Sequence, residues 1–224
     1  MELFYGNLSK IEDEKEQETV EFVQECFVRT RNGSSKLNGT GFLEDFKKAH
    51  PVDHKHVTPY YHLLNNLCDK KDAHHLHVGL YQGGSFVAAL LNNEGVLRTQ
   101  IGVDLYEHDF QYYHERMTRE LCKKHLTGLR YEIIVGDAFS ADLNRFQSKI
   151  DVYLYDADHC FEAQEKAFTY YNPVLADVFI AIVDDWNCEK VTQGTFSAFD
   201  KLEYRVLHED LINSHYVAVI KKAF

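Results

Sequence analysis

From His75 onward, short apolar runs alternate with longer amphipathic stretches, and this alternation constrains the fold more than any other feature of the chain. Strand-length runs occupy Leu76 to Leu80, Thr99 to Leu105, Tyr131 to Val135, Val152 to Tyr155 and Val178 to Val183. Helix-length segments fall between and after them, at Gly84 to Asn92, Asp109 to His125, Ser140 to Gln147, Phe161 to Tyr171 and Lys190 to Lys201. Strands and helices in strict succession require right-handed crossovers, which predicts an α/β fold with a doubly wound, mainly parallel sheet covered on both faces. Tyr204 to Leu207 and His215 to Ile220 are joined by a short connection and read as a terminal antiparallel hairpin.

The first seventy residues follow a different pattern. Val20, Phe22, Val23, Cys26 and Phe27 lie on a charged background between Ile11 and Arg29, as in an amphipathic helix. A Gly-, Ser- and Asn-rich stretch from Arg31 to Gly41 reads as a loop, and Pro59 to Leu67 as a further helix. The expected organisation is therefore an N-terminal helical extension or lid over 1–70, which could also supply a homodimer surface, and a ligand-binding domain over 71–224. At 224 residues and 45% apolar composition the chain can bury one substantial core. The net charge of -11, with Lys and Arg scattered, argues against a nucleic-acid partner. The longest apolar run, Val174 to Val183, is too short for a membrane span and is broken by Asp177. Met1 to Gln17 is acidic where a secretory signal would be basic and then apolar, so a cytoplasmic location is expected. Five cysteines with no CxxC pair predict neither a disulfide framework nor a structural zinc site.

Open α/β sheets bind ligands beyond the carboxyl ends of their strands. The first such end carries His77-Val78-Gly79-Leu80-Tyr81-Gln82-Gly83-Gly84-Ser85, where glycines permit a sharp turn and helix N–H groups are offered as donors. The second ends in Asp104, placed to take two ribose hydroxyls, and the third is followed by Gly136-Asp137-Ala138. The fourth and fifth empty into Asp156-Ala157-Asp158-His159 and Asp184-Asp185-Trp186. Each acid taken alone is commonly a turn former or a helix cap. Three hard oxygen donors and one base at converging strand ends suggest metal-assisted chemistry.

In this order the motifs resemble the class I S-adenosylmethionine-dependent methyltransferases, over about the last two-thirds of the chain. Within that class the chain is most similar to the small-molecule O-methyltransferases of macrolide-sugar and cephalosporin biosynthesis. The resemblance implies a Rossmann-like seven-stranded sheet and a cofactor site at Gly79, Tyr81, Gly83, Gly84, Ser85, Asp104, Asp137, Ala138 and Asp156. It also implies a divalent ion, usually magnesium, on Asp156, Asp184 and Asp185, with His159 as general base and Asp156 sharing the catalytic site. The family usually has an acid two residues before the first glycine, where this chain has His77.

The implied chemistry is coherent on physical grounds. An oxygen held in line with a sulfonium methyl gains much of its rate from positioning alone. An ion chelated by substrate oxygens fixes that geometry and lowers a hydroxyl pKa, and a histidine within reach accepts the proton. The expected partner is a small-molecule acceptor, a sugar or a vicinal diol. Two alternatives stay open at this point: a metal-independent methyltransferase, and a non-catalytic Rossmann-like nucleotide-binding protein.

Overall fold

The computed structural model describes residues 8–49, 54–93, 99–105, 111–146 and 148–223. Seven strands form one sheet: β1 (His74–Val78), β2 (Thr99–Asp104), β3 (Glu132–Val135), β4 (Ile150–Tyr155), β5 (Leu175–Val183), β6 (Arg205–Ile212) and β7 (His215–Lys221). Their order across the sheet is β3-β2-β1-β4-β5-β7-β6. The pairings from β3 through β5 are parallel, and β7 runs antiparallel to both β5 and β6. The predicted doubly wound sheet with its terminal hairpin is the fold observed.

Four helices connect or follow the parallel strands: α4 (Gly84–Leu90), α5 (Gln111–His125), α6 (Phe161–Tyr171) and α7 (Glu189–Lys201). They are numbered after three N-terminal helices, α1 (Glu14–Arg31), α2 (Phe42–Ala49) and α3 (His54–Leu67). The helix expected over Ser140 to Gln147 does not form. Two 3-10 turns, Ala138–Ser140 and Leu143–Arg145, stand there, and residue 147 lies outside the described residues. The Tyr171 and Tyr170 hydroxyls on α6 donate to the Ala138 and Ala141 carbonyls, so those oxygens point outward instead of closing a helical ladder. The apolar periodicity of Phe139, Leu143 and Phe146 therefore reflects packing of an irregular segment. Helix α2 gave no clear sequence signal because it is only eight residues long and follows directly on the glycine-rich loop.

Strand alternation divides the core into two layers. Val152 and Leu154 of β4 face α1, α3 and α4, where Val23, Phe27, Leu64 and Phe86 are buried. Tyr153 and Tyr155 face α6 and α7 with Phe168, Tyr171 and Phe199. The N-terminal helices thus share one core with the sheet. Buried Asn65 on α3 fastens them to α4, its amide donating to the carbonyls of Ala88 at 2.8 Å and Leu91 at 2.9 Å.

Two histidines occupy a place that apolar residues would fill more cheaply. His75 and His77 are fully buried on β1, with ring centroids 6.2 and 5.9 Å from that of Phe86 on α4. Burial holds the His75 imidazole neutral, bringing its pKa down from 6.5 to about 3. The unfolded chain binds this proton near pH 6.5 and the folded chain does not. The stability associated with the neutral ring is therefore complete above pH 6.5 and is lost as pH falls toward 3, at up to about 1.4 kcal/mol per pH unit. Urea denaturation between pH 7 and 4 is expected to show a shallower acid decline for His75→Phe than for the native chain; parallel declines would exclude His75 as the group responsible.

Candidate active site

Because β1 lies between β2 and β4, the connections leaving β1 and β4 depart to opposite faces and a crevice opens at their carboxyl ends. Two backbone bonds define its floor. The Gly79 N–H donates to the Val103 carbonyl and the Asp156 N–H to the Val78 carbonyl, both at 2.8 Å. Gly79 has φ +92°, and a Cβ there would lie 1.8 Å from the Asp156 carbonyl oxygen. Only glycine allows the β1 and β4 loops to cross this closely.

Over this floor lies a cavity of about 780 Å³. Of the residues singled out from the sequence, Gly79, Tyr81, Asp104, Asp137, Ala138, Asp156 and His159 line it. Asp104 Oδ2 accepts from the Leu80 and Tyr81 N–H groups at 2.6 and 2.7 Å, fastening the glycine turn to the end of β2. Tyr81 takes up a left-handed backbone conformation with φ +49° and remains 59% exposed, its ring centroid 4.4 Å from that of His114. Asp137 accepts from the Phe139 N–H at 2.8 Å and the Ser140 hydroxyl at 3.1 Å, so it both borders the cavity and caps the first 3-10 turn. Asp158, from the same motif as Asp156 and His159, also lines the cavity, as do His114 and Phe139, whose sequence context gave no distinguishing signal.

Gly83, Gly84 and Ser85 stand behind the cavity wall. Gly83 caps α4 with φ +81°. A Cβ on Gly84 would meet the Tyr61 hydroxyl and the Phe46 ring, so this glycine lets the N-terminal helices close on α4. The Ser85 hydroxyl lies 3.3 Å from His77 Nε2. His50 and the side chains of His54 and His56, three histidines of the N-terminal segment, lie outside the described residues.

At one end of the cavity three side chains converge. Ligand atoms of Asp156, His159 and Asp184 all lie within 4.8 Å of one another, the one such group among the described residues. Asp185 stands beside this group. Its Oδ2 is 3.5 Å from His159 Nδ1, while His159 Nε2 is 3.6 Å from Asp156 Oδ1. Asp184 Oδ1 is held at 2.8 Å by Nε2 of His215, the first residue of β7. Asp158 instead accepts the Cys160 N–H at 2.9 Å and opens α6, which Cys160 caps.

The two facing carboxylates respond oppositely to this setting. Burial, reinforced by the Asp184 charge, pushes the Asp156 carboxyl well above the usual range, with His159 opposing. Burial also works to raise Asp184, but the hydrogen bond and charge of His215 outweigh it and bring Asp184 down to about 2. The hydrogen bond to Asp156 raises His159 despite partial burial of the ring. A like-charged, partly buried pair of this kind is relieved by a proton or by a cation. The Asp156 and Asp184 carboxylates, with Asp185 alongside, offer hard oxygen donors that fit a divalent ion, and His159 stands beside them.

Residues 76–186, from β1 through the acidic turn after β5, match the family model described as a methyltransferase domain. All of the site lies within that span except His215 and the N-terminal helices. Comparison with curated proteins gives no match. Among solved structures, the S-adenosylhomocysteine-bound methyltransferase PaMTH1 of Podospora anserina superposes with a TM-score of 0.59 at 16% identity, covering 97% of this chain and 100% of that one. An O-methyltransferase from Bacillus cereus, also in complex with S-adenosylhomocysteine, gives 0.53 at 14% identity, covering 94% and 92%. The calicheamicin-biosynthesis TDP-rhamnose 3'-O-methyltransferase CalS11 gives 0.55 at 13%, covering 95% and 96%. The chain spans 49% of the length of a Streptococcus mutans structure that it also matches, at a TM-score of 0.54 and 15% identity, with 76% of this chain covered. At these identities the likeness concerns the fold.

Gly79→Ala tests the crossing at the floor of the domain. The added methyl meets the Asp156 carbonyl, and the left-handed backbone is strained for any side chain, so a loss of about 3 kcal/mol is expected in denaturant unfolding. A loss below about 0.5 kcal/mol, the range of an ordinary surface substitution, would show that the two loops separate readily.

Proposed function

We propose that this protein is an S-adenosylmethionine-dependent methyltransferase that methylates a hydroxyl oxygen of a small molecule with a divalent cation, magnesium being the expected one. The observation that carries this reading is the juxtaposition at the β1 switch point. A cavity bordered by Asp104, Asp137 and Gly79 runs directly into the Asp156, His159 and Asp184 cluster. The solved structures with S-adenosylhomocysteine support the choice of cofactor, and the O-methyltransferases that share the fold support an oxygen acceptor.

On this reading the glycine turn and Tyr81 seat the methionine end of the cofactor, Asp104 the ribose and the Asp137-Ala138 turn the adenine. Asp156 and Asp184, with Asp185 alongside, would hold the cation. The ion would supply a Lewis-acid site that orients the acceptor oxygen and lowers its pKa. His159, standing between Asp156 and Asp185, takes the hydroxyl proton. The cavity walls hold the acceptor in line with the methyl group and keep bulk water from competing.

A second reading is favoured by one feature of His159. An imidazole set between two carboxylates is already oriented as a base, and such an arrangement works without an ion. Asp184→Asn separates the two. Under the cation reading it abolishes magnesium-stimulated methyl transfer while S-adenosylhomocysteine still binds; under the second, transfer survives. Thermal denaturation with S-adenosylhomocysteine tests the cofactor assignment itself. At a hundredfold excess over Kd the stabilisation is about 2.7 kcal/mol, a rise of about 5 to 10 °C for a chain of this size. An unchanged Tm at saturating nucleoside would remove the methyltransferase reading altogether.

A further inference from the structure

The cation reading gives no role to the N-terminal helices or to the terminal hairpin, and both meet at His215. The β5–β7 register pairs Val183 with Tyr216, so His215 stands opposite Asp184 across the two antiparallel strands. Its Nδ1 lies 3.2 Å from the Ile212 carbonyl and its Nε2 2.8 Å from Asp184 Oδ1, so each ring nitrogen is directed at an acceptor oxygen. The ring is also gripped from above. Tyr60 of α3, 4% exposed, stacks on it with centroids 3.4 Å apart and planes 17° from parallel. The hairpin itself is clasped to the acidic turn, the Trp186 N–H donating to the Ser214 carbonyl at 2.7 Å and the Trp186 ring stacking on Tyr216 at 3.9 Å.

We infer that His215, clamped between the Ile212 carbonyl and the face of Tyr60, is the positioning residue that sets the Asp184 carboxylate for cation binding. The inference rests on the proposed cation site and adds to it a route by which the N-terminal helix α3 and the C-terminal hairpin act on that site. His215 meets the cation only through Asp184. A carboxylate that has lost its donor can rotate or take a proton from solvent, and outer partners of this kind typically govern metal affinity by about 10- to 100-fold. Among the described residues the Tyr60 hydroxyl has no hydrogen-bond partner, so the ring face, not the hydroxyl, does the clamping.

The test uses the full chain and two readouts. Binding of Mn2+ alone, followed by electron paramagnetic resonance, is expected to weaken about 10- to 100-fold in His215→Phe, which keeps an aromatic ring on Tyr60 but cannot donate to Asp184. His215→Gln, which restores a donor, and Tyr60→Phe, which keeps the stack, are expected to retain most of the affinity, whereas Tyr60→Leu loses it. S-adenosylhomocysteine binding, measured in parallel, stays unchanged in all four variants. Equal Mn2+ affinity in the native chain and His215→Phe overturns the inference. The second readout needs no metal. In thermal melts of Asp184→Asn, His215→Phe and the double variant, the losses in Tm are expected to overlap instead of adding. Additive losses also overturn the inference. A native chain that binds the nucleoside but no Mn2+, while the melts still show coupling, would refute the cation role of Asp184 and with it the claim on metal affinity, yet leave His215 and Asp184 established as a pair.

Discussion

The backbone crossing of the β1 and β4 loops is the constraint on which the site depends. One hydrogen bond ties Gly79 to Val103 and another ties Asp156 to Val78, so the ends of β2, β1 and β4 are fixed relative to one another before any side chain contributes. The glycine at 79 is required by distance and by φ together. From this fixed floor, Asp104 points back onto the glycine turn and Asp156 points along β4 toward the end of β5. The cavity and the acid–histidine cluster are therefore two ends of one rigid platform.

The carboxylate pair shows how burial and charge divide the work between similar residues. Asp156 and Asp184 both end parallel strands and face each other, yet Asp184 is held low by His215 while Asp156 is pushed high by its surroundings. Difference of environment, not of residue type, separates them. Such a pair is expensive to keep without compensation, and the neighbouring imidazoles of His159 and His215 supply part of it.

Much of the fold was legible because hydrophobic period and chain order both act locally. The strands β1 to β5 and the helices α5, α6 and α7 fall close to where apolar runs and amphipathic spacing place them, and the acids at strand ends follow from the parallel order. What stayed hidden depends on long-range contacts. Phe139, Leu143 and Phe146 carry a helical spacing, but hydroxyls about thirty residues away on α6 draw the Ala138 and Ala141 carbonyls out of a helix. His215 looked like the start of an edge hairpin, since only the β5–β7 register brings it opposite Asp184. Tyr60 lies in the helix read over Pro59 to Leu67, but its stack on His215 joins segments 155 positions apart, beyond the reach of any periodicity. Gly84, read as part of the ligand turn, also leaves room for Phe46 and Tyr61, a contact that the turn sequence does not announce.

The clasp made by Asp104 bears on the thermodynamics of ligand capture. With one carboxylate oxygen accepting two N–H groups of the glycine turn, the loop holds its left-handed Tyr81 conformation through contacts of the chain itself. A ligand entering the cavity then meets a preorganised rim and avoids much of the entropy loss of ordering a loop around itself. Affinity on this rim is gained by the folding of β2 against β1, so the strength of ligand capture is set by the same contacts that set the stability of the sheet.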